Sequence, residues 1–319
     1  MPVNRRERPY VTILIGCVLL TICLCALIYA YGRLKILTHN RESAAAQGSC
    51  DVLVAVDPLA YLVRRVGGDN VKVTVLTPQG KSPETYAPTP SQLADVANSQ
   101  LFFTLGLPIE ERLLGNIASI APKATVVDLL QLIQALPNPR HSHETDDDAH
   151  DDSDHAHEGA LDPHLWTAPE NARTMVATIC EELIKLDHEN EASYRANAEK
   201  LDEELQALQL EIADKLANLT SRNFIVFHPA YGYYAREFQL QQLAIEFEGK
   251  NPKPRDLQKL VETAKNDKIH ALIIQPEFNR SSAQVVADQL GGEIIEHSPL
   301  EEDYFANLRA LTDAVVASH

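Results

Sequence analysis

Residues 189–218 read ENEASYRANAEKLDEELQALQLEIADKLAN. Tyr194, Ala198, Leu201, Leu205, Leu208, Ile212, Leu216 and Leu219 recur at steps of three and four, which is one face of a helix. A helix of this length spans ~45 Å at 1.5 Å rise per residue. The stripe is short for a coiled coil, and a new series of strand patterns starts directly after it. The stretch therefore reads as a rigid spine joining two lobes.

On its N-terminal side, strand and helix patterns alternate. Strands are expected at Asp51–Val56, Val71–Leu76, Leu101–Leu105 and Ala124–Val127. Helices are expected at Leu59–Val66, at Ser91–Ala97 with Ser91 as N-cap, near Glu110–Ile120, and at Pro169–Leu186. The loop from Pro78 to Pro90 holds four prolines. After the spine, strands are expected at Phe224–His228, Leu243–Phe247, Ala271–Gln275 and Glu293–Glu296, with a last helix through Val316. Strands separated by helical stretches imply parallel sheets covered on both faces. The fold class is α/β: two parallel-sheet lobes, 51–188 and 219–319, joined by the helix 189–218, with a ligand site in the cleft between them.

Residues 10–31, YVTILIGCVLLTICLCALIYAY, are apolar and uncharged, long enough to cross a bilayer as a helix. Arg5, Arg6 and Arg8 precede this run, and Arg33 and Lys35 follow it, a mild bias toward a cytoplasmic N-terminus. Residues 1–35 read as a membrane anchor or a signal segment, with Leu14-Ile15-Gly16-Cys17 resembling a lipoprotein cleavage box, and 36–50 as a tether. Each of these readings exports the rest of the chain. Of the five cysteines, Cys50 and Cys180 alone lie outside the apolar run. A disulfide between them and two separate thiols are both compatible with export. The absence of any C-x-x-C pair leaves no thiolate metal site.

The net charge is −17, which argues against nucleic acid as a partner and suits cations. Much of that charge is local. Residues 141–158, HSHETDDDAHDDSDHAHE, contain five histidines (His141, His143, His150, His155, His157) and eight carboxylates. No apolar side chain there is larger than alanine, so the segment reads as a solvated loop. Imidazole and carboxylate together suit zinc, and with fewer nitrogens manganese or iron.

Ligands of open parallel sheets sit beyond the carboxyl ends of the strands. That rule selects His228, the stretch Gln275 to Asn279, the loop Pro78–Pro90 and His164, just past the acidic segment. His188, His270 and His297 have no supporting pattern and read as ordinary surface or strand-end residues.

These motifs occur together in one order: DPLAYLVRRVGGDNVKVTVLTPQGKSPETYAPTPSQL, then DPHLWTAPENA, FHPAYGYYA, EGKNPKPRDL and IIQPEFNRSSA. In this the chain, from about Asp51 to Val316, resembles the metal-binding solute receptors of bacterial ABC importers, the zinc and manganese group of periplasmic or surface-tethered binding proteins. The resemblance implies two α/β lobes, one long linking helix and a metal held between the lobes, with two ligands from each. Carried over, it implies that His164 of D-P-H-L-W and His228 of F-H-P-A-Y are ligands. The family's first ligand is usually a histidine in S-P-H-x-Y; here Glu84 of S-P-E-T-Y occupies that position. The fourth position falls in Gln275–Asn279, where Glu277 is the candidate. Asp162 is expected to orient His164 rather than bind metal.

The expected function is capture of Zn²⁺, with Mn²⁺ or Fe²⁺ as alternatives favoured by the harder oxygen of Glu84, and delivery to an ABC permease. The expected protein is a monomer and not an enzyme. A surface adhesin or zinc buffer would use the same site without transport. A metal-dependent hydrolase needs an open coordination position and a poised base, and no H-E-x-x-H or G-x-S-x-G pattern is present. Because a ligating histidine must lose its proton, affinity should fall below about pH 6.5.

Overall fold

The computed structural model describes residues 49–138, 161–246 and 254–319. The apolar run 10–31 and the histidines at 141, 143, 150, 155 and 157 lie outside them. Among the described residues, no helix is long and apolar enough to cross a membrane.

The first sheet contains β1 (Cys50–Val54), β2 (Val71–Val75), β3 (Leu101–Thr104) and β4 (Thr125–Asp128), all parallel in the order β2-β1-β3-β4. The second repeats that order with β5 (Asn223–Val226), β6 (Gln241–Ala244), β7 (Ala271–Ile274) and β8 (Glu293–Glu296), as β6-β5-β7-β8. Central strands are almost wholly buried, as in Leu101–Thr104 and Ala271–Ile274, because helices cover both faces. Edge strands such as Thr125–Asp128 and Glu293–Glu296 carry exposed polar ends.

The helices between strands are α1 (Asp57–Gly67), α2 (Pro90–Val96), α3 (Pro108–Leu114), α4 (Ile117–Ile120), α5 (Pro169–Leu186), α6 (Glu191–Leu216), α7 (Gly232–Glu237), α8 (Pro254–Asn266), α9 (Arg280–Leu290) and α10 (Tyr304–Ala317). The spine is α6, whose 26 residues span ~39 Å. Its buried stripe is Tyr194, Leu201, Leu205, Leu208, Ile212 and Leu216. These side chains share one core cluster with Leu59 and Val63 of α1, Ile179 and Leu183 of α5, and Leu308 and Leu311 of α10. The spine is thus packed against helices from both ends of the chain. Asp187 pins its start, accepting hydrogen bonds from Asn190 Nδ2 and Tyr194 Oη, both at 2.7 Å. Arg309 grips Glu211 through two nitrogens on the polar side, and Arg173 grips Asp202 likewise.

Local boundaries differ from expectation for identifiable reasons. Thr89, not Ser91, caps α2: its side chain accepts from Gln92 N while Gln92 Oε1 accepts from Thr89 N. Pro90 supplies the first helical residue, where its missing N–H costs nothing and its fixed φ fits, so the helix starts one residue early. The helix expected over Glu110–Ile120 starts at Pro108 and breaks between Leu114 and Ile117 into α3 and α4, where Asn116 leaves helical geometry at φ −129°, ψ 8°. Glu110 is wholly buried because its Oε2 accepts the amides of Leu105, Gly106 and Leu107 at 2.8–2.9 Å. Cys50 and Cys180 are separate buried thiols, both pushed up in pKa chiefly by burial.

Candidate metal centre

The strands of the second sheet end before His228 and Gln275, so both residues lie in the loops just beyond the carboxyl edge. Glu84 lies in the loop that follows β2 in the first sheet, likewise beyond the carboxyl end of a strand. That loop lacks regular structure but is stitched down: Tyr86 N donates to Ser82 O at 2.9 Å, and Arg112 Nη2 donates to Tyr86 O at 2.7 Å. Tyr86 Oη bonds Gln92 Oε1 at 2.7 Å, and Gln92 Nε2 returns to Leu76 O at 3.0 Å. His164 sits in the turn that leads into α5, beside Trp166, whose indole N–H reaches across to Pro299 O at 2.8 Å.

These three elements bring Glu84, His164 and His228 together, with one ligand atom from each within 4.8 Å of the others. His228 Nε2 lies 3.2 Å from Glu84 Oε1. The rings of His164 and His228 are 5.4 Å apart between centroids, edge to face. Nδ1 of each histidine is engaged by a carboxylate, which leaves Nε2 as the nitrogen open to a ligand role. Asp162 Oδ1 lies 2.8 Å from His164 Nδ1 and also accepts the His164 amide at 3.0 Å, which is the orienting contact expected of it. Glu246 Oε2 lies 3.0 Å from His228 Nδ1. Gln275 holds the His228 backbone from both sides, accepting from its N–H at 3.3 Å and donating to its C=O at 3.0 Å. Phe278 stacks on the imidazole at 4.9 Å.

The cleft is walled by Trp166, Phe278, Pro299 and Leu300, so the polar donors face one another in a largely apolar setting. Burial lowers the pKa of His228, but hydrogen bonds and charge from Glu246 and Glu84 overcome that and raise it to about 9. In the metal-free site a proton therefore holds His228 to Glu84. A divalent cation offers the same electrostatic solution with more charge, and two imidazoles with one carboxylate form a donor set suited to zinc, manganese or iron.

Glu277 lines the same cleft, with its carboxyl pKa raised mainly by burial, but its oxygens are not among the mutually close ligand atoms. Of the remaining histidines, His188 and His270 are exposed. His297, a strand-end residue just past β8, is buried: Nδ1 meets Tyr231 Oη at 2.9 Å and Nε2 meets Asn307 O at 3.1 Å. Burial also lowers its pKa, as befits a neutral core imidazole. Glu246 was not singled out from the sequence. The signal was a lone carboxylate inside the apolar run Leu243 to Phe247, which a buried partner has to explain.

Comparison with known proteins agrees with this geometry. Residues 52–318 match the model of the ZnuA family, described as the periplasmic component A of a zinc-uptake complex. The crystal structure of a ZnuA is similar, with a TM-score of 0.76 and 30% identity, covering 85% of this chain and 99% of that one. A putative metal-binding protein of Treponema pallidum is 29% identical over 247 residues, 76% of this chain and 77% of its own. A manganese-binding lipoprotein, MntA of Halalkalibacterium halodurans, is 25% identical over 250 residues, 76% of each chain. With a matched span that takes in both sheets, the spine and all three convergent side chains, this chain belongs to the ZnuA family of metal-binding solute receptors.

Proposed function

We propose that this protein captures Zn²⁺ outside the cytoplasmic membrane and delivers it to an ABC permease for uptake, with Glu84, His164 and His228 as ligands. The observation that carries the reading is their convergence: three donors from three separate loops, two from the first lobe and one from the second, with both histidines oriented by carboxylates. A cation between them would bridge the lobes that α6 joins. Capture and release need affinity and a closing surface; they need no general base. Glu277 would serve as a fourth ligand from the second lobe, a role supported by its lining the same cleft. Glu84 stands where histidine is usual in the resemblance, and its hard oxygen widens the range toward Mn²⁺ or Fe²⁺.

In this reading lobes 51–188 and 219–319 flank the linking helix 189–218, the apolar run 10–31 anchors the protein, and His141, His143, His150, His155 and His157 collect ions near the cleft. The protein acts as a monomer, with the permease and the membrane as partners and no role for nucleic acid. The test is metal analysis of the protein as purified, followed by competition between Zn²⁺ and Mn²⁺ in wild type and Glu84→Ala. The reading expects about one tightly held ion, markedly weakened in the variant. Metal uptake by cells lacking the protein, restored by wild type but not by Glu84→Ala, separates transport from adhesion or buffering.

A further inference from the structure

We infer that Glu246 is a positioning residue of the metal site: it keeps the proton of His228 on Nδ1 and aims the Nε2 lone pair at the ion. The inference rests on reading Glu84, His164 and His228 as ligands. Glu246 follows β6, where the sheet pairing continues past the strand: Ile245 N donates to Val226 O at 3.0 Å and Glu246 N donates to Phe227 O at 2.9 Å. Its backbone therefore runs beside the residue that precedes His228, which brings the carboxylate to the Nδ1 edge of the imidazole. The Glu246 side chain is 7% exposed, and Ile245 and Phe227 around it are buried.

A carboxyl group buried in such a place is costly unless a hydrogen-bond partner meets it. Among the described residues, the donor in contact with it is His228 Nδ1, at 3.0 Å. Asp162 stands in the same relation to His164 at 2.8 Å. Each lobe thus brings its own histidine–carboxylate pair, prepared before any ion arrives. A carboxylate on Nδ1 fixes tautomer and ring orientation and makes Nε2 a better donor, and loss of such a partner costs about 10–100-fold in metal affinity. Gln275 and Phe278 hold the backbone and ring face of His228, yet neither contact selects a tautomer.

The test uses the full-length chain labelled with ¹⁵N-histidine and one equivalent of Zn²⁺. The His228 resonance, identified by its loss in His228→Ala, should show a protonated Nδ1 and a metal-bound Nε2. Glu246→Leu should weaken Zn²⁺ binding about 10–100-fold, and Glu246→Gln, which keeps an acceptor for Nδ1–H, should recover most of that loss and the same signature. A wild-type spectrum with the proton on Nε2 overturns the inference and needs no variant to fold. Wild-type affinity in Glu246→Leu, with binding lost in His228→Ala, overturns the positioning role alone. Unchanged binding in His228→Ala overturns the ligand reading itself.

Discussion

Zinc binding at pH 8 should expel nearly one proton from the protein. In the metal-free site His228 is pushed up to about 9 by Glu246 and Glu84, against the lowering effect of burial. At pH 8 its imidazole is then ~90% protonated, whereas an ordinary histidine with a pKa near 6.5 carries ~0.03 of a proton. Nε2 cannot hold both a proton and a metal, so binding exchanges one for the other. One pH unit below the pKa, this competition costs about 1.4 kcal/mol, a factor of ten in apparent affinity. The loss grows about tenfold for each further unit of acidification, starting near pH 9 instead of the pH 6.5 expected of an isolated histidine. Calorimetric titration with Zn²⁺ in buffers of different ionisation enthalpy counts the protons. A count near 0.9 at pH 8 agrees with the ion pair of His228 and Glu84. A count near zero refutes it, and with it the claim that a proton occupies the metal-free site.

Other outcomes follow from named contacts. Glu84→His should raise the preference for Zn²⁺ over Mn²⁺ by replacing a hard oxygen with imidazole, measured by competition between the two ions. Deleting residues 141–158 should leave the tight ion in place and remove only weaker ones, since the three proposed ligands lie elsewhere; equilibrium dialysis decides this. Leu205→Ala in the spine should destabilise the fold by about 2–5 kcal/mol in chemical denaturation, because Leu205 is wholly buried in the core cluster. The metal-free protein should melt at lower temperature as pH rises. His228 at about 9, Glu110 at about 8 and Glu237 at about 7 are all raised, so their stabilisation is complete below their unfolded values and lost through those folded ones. His228 alone accounts for ~3 kcal/mol between pH 6.5 and 9. Thermal melts at pH 6 and 9, with and without Zn²⁺, measure it.

Much of this was legible in the residues because the relevant physics is local. The stripe from Tyr194 to Leu216 is a helical period that tertiary packing could only confirm, and the eight strands among the described residues were visible as short strand patterns between turn signals. Boundaries slipped where a side chain reaches along the chain, as with Thr89 and Gln92 at α2 or Glu110 beneath the Leu105–Leu107 loop. Glu84, His164 and His228 form a set that the family resemblance implies, and the strand-end rule separately marks His228 and the loop that holds Glu84. The partner of His228 was not legible, since Glu246 meets it through sheet pairing between segments 18 residues apart, and spacing carries no trace of that contact. The burial of His297, a strand-end residue, was not legible for the same reason: it depends on Tyr231 and Asn307 from other elements.

The central claim is that one ion binds between Glu84, His164 and His228. Anomalous diffraction at the zinc edge from metal-loaded crystals tests it most directly. The account predicts a single strong peak about 2.0–2.2 Å from Nε2 of both histidines and from a Glu84 oxygen. A strong peak elsewhere, with these three side chains free of metal, would contradict it.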